Sequence, residues 1–178
     1  MSVARVLRGR LAAWMVLLTL CACSPALDWR EVRPDASGAQ LLLPCKPSNE
    51  VRTVELAGVR VRMHMAACSA DGATWALAHA DLGDPALVAP ALGSLRAASA
   101  ANLAASTAVT GPMKVPGMTP NAQAERLRAM GRMPGGEAVQ MESGFFVRGT
   151  QVYQATVMGK APAPEEVGIF FDSLKLPS

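Results

Sequence analysis

The sequence predicts an α+β domain: an antiparallel β-sheet with a long central helix and a C-terminal helix packed on it. Three observations carry that prediction. Period-two alternation around a tight Asp71-Gly72 turn marks strands early in the chain. An alanine-rich stretch with helical spacing follows Asp84-Pro85. A second group of strands then gives way to a helix with one apolar stripe. The chain has 178 residues, 51% hydrophobic and 17% charged, which suits one globular domain and excludes a disordered chain.

A first strand is expected at 40–43, stopped by Pro44. Strands at 51–56 and 59–65 are joined by Ala57-Gly58, with glycine placed for positive φ. In the second of these, Val59, Val61, Met63 and Met65 alternate with Arg60, Arg62, His64 and Ala66. Asp71-Gly72 turns the chain into a strand at 74–80, completing a meander. Asp84-Pro85 reads as an N-cap and first helical residue, and Val88, Leu92, Leu95 and Leu103 share roughly one face of a helix reaching about residue 105. Pro90 sits too deep for a helix that begins at Pro85, so either the helix begins near Ala89 or a short turn precedes it. Gly111, Pro112, Pro116, Gly117 and Pro120 mark 106–120 as a mobile, irregular loop. Thr119-Pro120 repeats the capping signature, and 122–130 is expected as a short helix ended by Gly131. Strands follow at 138–142, 145–148 and 151–158, the last two joined by Gly149-Thr150. Glu165 and Glu166 then favour a helix N-terminus, and Val167, Phe170, Phe171 and Leu174 form its buried stripe.

The closing run, Val152-Tyr153-Gln154-Ala155-Thr156-Val157 through Phe170-Phe171-Asp172-Ser173-Leu174-Lys175-Leu176, is similar to the end of domains in the PsbP-like sandwich group. That resemblance covers the C-terminal strand and helix. It implies a PsbP-like α/β sandwich and says almost nothing about activity.

Residues 1–22 read as a lipoprotein signal peptide and stand apart from the fold. Arg5, Arg8 and Arg10 precede the apolar run at 11–20 (LAAWMVLLTL), with no acid among them. Ten helical residues rise ~15 Å, about half a bilayer's hydrocarbon core, so the run is too short to span. Leu20-Cys21-Ala22-Cys23 resembles a bacterial lipobox. The resemblance implies a diacylglyceryl group on the Cys23 sulfur, cleavage before Cys23 and an acylated new N-terminus. Ser24 in the next position implies outer-membrane rather than inner-membrane delivery, on the periplasmic side of the envelope. The alternative is ordinary secretion with cleavage nearby. Residues 23–28 would form a short tether, reaching about 20 Å at ~3.4 Å per residue, and 29–178 the single domain. The whole chain also resembles small lipoproteins of Gram-negative bacteria.

Removing the signal removes three of 17 basic residues, leaving 14 against 14 acidic residues, so the mature chain is neutral. A neutral chain without a basic run lacks the footprint of a nucleic-acid binder. Of four cysteines, Cys21 leaves with the signal and Cys23 carries lipid, which leaves Cys45 and Cys68 as an even pair in an oxidising compartment. Their bridge would close a loop worth ~3.5 kcal/mol on the chain-entropy estimate.

No phosphate-binding glycine loop, zinc-protease helix motif, nucleophile elbow or calcium loop is present. No cofactor is therefore expected and no catalytic residue can be assigned. Two features remain. A two-residue turn at Asp71-Gly72 sets His64 directly opposite His79, with Cβ atoms ~5 Å apart, compatible either with a shared metal ion or with a plain cross-strand pair. No third ligand is evident in the sequence. Met113, Met118, Met130 and Met133 lie in or beside the Pro/Gly-rich region, and read either as an adaptable binding surface or as gap-filling side chains. Two functions follow: a non-catalytic, membrane-anchored envelope lipoprotein that binds a protein partner or assembly factor, or a periplasmic small-ligand or metal binder using the histidine pair or a cleft between sheet and helix.

Overall fold

A computed structural model describes residues 27–103, 106–133 and 135–177. The expected signal peptide, Cys23 and most of the expected tether lie outside them. The architecture is α+β. Two short strands, β1 (Arg30–Val32) and β2 (Leu41–Leu43), pair with each other. The main sheet holds β3 (Ser48–Leu56), β4 (Val59–Ala70), β5 (Ala73–Asp81), β6 (Ser106–Pro112), β7 (Glu125–Arg132), β8 (Ala138–Arg148) and β9 (Gln151–Gly159). Its seven strands are all antiparallel, in the order β3-β4-β5-β9-β8-β7-β6. Helix α1 (Val88–Ala101) crosses one face, and α2 (Pro164–Asp172) covers the other.

The early meander follows the sequence pattern, with longer strands than expected. Turns fall at Ala57-Gly58 and Asp71-Gly72, where all four residues adopt positive φ. The Asp84 carboxylate accepts from the Ala86 amide at 2.8 Å and caps a 3-10 turn, Pro85–Leu87, ahead of α1. Pro90 therefore falls in the first turn of α1, where its missing N–H costs no intrahelical bond. The helix spans 14 residues and closes at Ala101, shorter than the expected reach to about 105.

Two expectations fail together. Residues 106–112 form edge strand β6, with a bulge between Val109 and Gly111, where an irregular loop was expected. Residues 125–132 form β7, where a helix was expected. The Ala, Glu, Arg, Leu and Met of this stretch favour helix intrinsically, but Leu127 and Ala129 alternate with Arg126 and Arg128 and fit a sheet position between β6 and β8. Pairing outweighs propensity. Beyond β6 the chain is held too: Met113 and Val115 are buried in the core. Gly117, at φ +80°, lies so close to the Leu176 carbonyl that a Cβ would collide with it. Strand β8 is continuous through Gly144, whose missing side chain admits Met113: a Cβ there would stand 2.7 Å from the sulfur.

The face under α2 is closed. Val167, Phe170 and Phe171, with Leu174 just beyond the helix, pack on Trp75, Phe146, Tyr153 and the β1–β2 arm. Trp75 meets Trp29 and Phe170 edge-to-face at 5.6 and 5.7 Å. The Arg126 guanidinium sits 3.8 Å above the Phe171 ring. Cys45 and Cys68 border this layer at disulfide distance, their Cα atoms 5.9 Å apart.

Candidate functional site: an open groove and a crevice

Helix α1 covers only part of its face. Val88, Ala91, Leu92 and Leu95 pack on Leu56, Val61, Phe145, Val147 and Val152. Past the end of α1, among the described residues, an open groove of about 540 Å³ remains over the sheet. Its floor is built from small residues of β5 (Thr74, Ala76, Ala78), which alternate with the buried Trp75, Leu77 and His79 of the opposite face. Strand β9 repeats the alternation: Gln154, Thr156 and Met158 are half-buried between fully buried Tyr153, Ala155 and Val157. Met65, Met133, Met141 and Met158 bring thioethers to the groove from three strands and from the segment before β8. Along one wall runs a polar string. The Gln154 amide donates to Ser99 Oγ at 3.0 Å and to Thr156 Oγ1 at 3.1 Å, and Thr156 bonds Ser143 at 3.0 Å. No lining side chain titrates near neutral pH. A volume of this size, mostly apolar walls and a few fixed polar groups suit an apolar ligand.

The methionines anticipated as a binding surface are only partly involved. Met133 reaches the groove, while Met113 is core and Met118 turns its sulfur to the Val115 amide at 3.2 Å. Met130 is exposed outside the groove. Met65, Met141 and Met158 were missed. The signal that could have found them is the small-large alternation of β5, which leaves one face without bulk over three consecutive positions.

The second opening lies at the histidine pair. His64 and His79 are cross-strand partners, as the turn arithmetic requires. Their rings stack with centroids 5.1 Å apart and planes 21° from parallel. The stack continues across the sheet through Tyr153 (6.0 Å) to Phe146 (4.9 Å). Tyr153 donates to the Ser37 carbonyl at 2.6 Å, and burial pushes its pKa up to about 12, so it remains a donor. His79 is 2% exposed, and among the described residues neither ring nitrogen closes a well-formed hydrogen bond, the Asp35 carbonyl making only a weak contact. Burial lowers its pKa, neighbouring His64 lowers it further, and the Asp35 carbonyl weakly opposes both. Near-parallel rings aim their lone pairs side by side rather than at one point, a poor arrangement for chelating one ion. Among the described residues no three His, Cys, Asp or Glu side chains gather into a metal site.

No known protein family matches this chain, and no curated protein matches its sequence. The site's chemistry therefore has to be read from its own residues. Among the described residues, no helix is long and apolar enough to cross a membrane.

Proposed function

We propose that the protein is a lipid-anchored, non-catalytic envelope protein that holds a slender apolar ligand, such as an acyl chain, in the groove beside α1. One observation carries the reading: a groove of about 540 Å³ lined mostly by thioethers, methyls and a leucine, with a few hydroxyl and amide groups among them. Flexible thioethers adapt to chains of varied shape, and the Ser99–Gln154–Thr156 string offers a polar head somewhere to bond. Small-ligand binding in a cleft between sheet and helix thus gains over binding of a protein partner. The PsbP-like sandwich reading is supported by the antiparallel sheet with helices on opposite faces, and it adds no activity of its own.

The anchor rests on the Leu20-Cys21-Ala22-Cys23 context. Cys23→Ser should abolish fatty-acid labelling, and normal labelling of that variant would sink the anchor without touching the groove. The groove is tested by calorimetric titration with dodecanoate. The parent chain should bind saturably, and Ala76→Leu, which fills the floor, should lose that binding. Equal binding by both would refute it.

A further inference from the structure

We propose that the crevice where β4 and β5 separate is a binding site for an oxyanion of the phosphate class. Pairing between these strands ends at His64–His79, although β4 runs on to Val59 and β5 to Asp81. Their facing edges part there, and a crevice of about 530 Å³ fills the gap. The histidine pair forms the apex.

The charges converge on an anion. Arg60, Arg62 and His64 occupy alternate positions of β4, ~6.6 Å apart along one face, and all line the crevice. Among the described residues neither arginine closes an ion pair. Glu55 stands opposite Arg60 in register without bonding it, and Glu50 is held by Arg52 at 2.7 Å. Asp81 is the one acid among the lining residues, and it is already engaged by the Gly83 amide at 3.0 Å and the Thr150 hydroxyl at 2.6 Å. His79 supplies the independent observation: a buried imidazole at the crevice whose nitrogens, among the described residues, close no well-formed hydrogen bond and meet only the weak contact of the Asp35 carbonyl. A buried polar group without a full partner is destabilising. An oxygen accepting from one of its nitrogens, with the two guanidinium groups at the mouth, would satisfy it. The same two arginines repel a metal cation.

The chain contains only two histidines, so its imidazole NMR signals report on the apex alone. Full chain is titrated with inorganic phosphate at constant ionic strength, and separately with phosphatidylcholine vesicles with and without phosphatidylglycerol. Saturable shifts of the His79 signals with inorganic phosphate, weakened about tenfold or more in Arg60→Gln/Arg62→Gln, support a free oxyanion. Shifts only with the anionic vesicles, lost in the same variant, support a lipid headgroup. Arg128→Gln, on β7 toward the opposite edge of the sheet, should leave either response unchanged. No saturable shift in either arm, or shifts that survive in the double variant, would overturn the proposal. Unaltered melting of the variants, whose arginines are exposed, separates lost binding from lost fold.

Discussion

The two faces of the sheet are built from the same strands and differ in what covers them. Under α2 and the β1–β2 arm, Trp75, Phe146, Tyr153, Phe170 and Phe171 interlock, each at most 4% exposed. Under α1 the cover stops part-way, and Thr74, Ala76 and Ala78 face a groove rimmed by methionine. Aromatics are only 4% of the chain, and of the described ones all but Phe145 lie on this one side. The lesson is a division of labour: the aromatic face supplies stability, and the thioether face keeps open space.

The sharpest break in that comparison is Phe170→Ala. Phe170 is fully buried between Trp75 and Phe171, and deleting such a ring typically costs ~3–5 kcal/mol. Thermal melting should fall by roughly 10 °C or more, while Lys175→Ala, on an exposed side chain, should change little. Next comes the bridge beside the same face. Cys45→Ala with Cys68→Ala should lower stability by about 3.5 kcal/mol in denaturant titration, because the reopened loop gains entropy when unfolded.

A matched pair of substitutions tests the two faces directly. Ala155→Leu inserts bulk into the closed layer and should cost ~1–3 kcal/mol. Ala76→Leu adds the same bulk to the groove, where there is room, and should change stability by less than about 0.5 kcal/mol. Equal costs would mean that the groove is not open in solution.

The smallest expected effect is on pH. The His79 pKa lies below its ordinary value of 6.5 when folded, so the unfolded chain takes up the proton first as pH falls. Its contribution to stability is complete above about pH 6.5 and declines below it. Melting temperature should drop between about pH 7.5 and about pH 5.5, and His79→Phe should flatten that slope.

How much of this was legible differs between the halves of the chain. The meander was readable because alternation and the Asp71-Gly72 turn fix register together, which placed His64 opposite His79. The stripe of α2 was readable because four apolar residues at helical spacing have only one way to be buried. Strands β6 and β7 were not. Gly111 and Pro112 read as a loop but serve a bulge and the end of an edge strand, where a missing N–H is harmless. Glu125, Arg126 and Arg128 read as helix but form ion pairs in the fold, Glu125 with Arg96 of α1 and both arginines with Glu142 of β8. The groove was hidden for a related reason: the small-large alternation of β5 marks a face without bulk, but where α1 stops covering that face depends on how the helix docks.

The central claim, that the open face holds an apolar ligand, is tested most directly by methyl NMR of methionine-labelled protein during titration with dodecanoate. Ligand in the groove should shift the methyls of Met65, Met133, Met141 and Met158 saturably and leave Met113, in the closed core, unmoved. Shifts confined to exposed Met130, or no saturable shift at any of the four groove methyls, would contradict it.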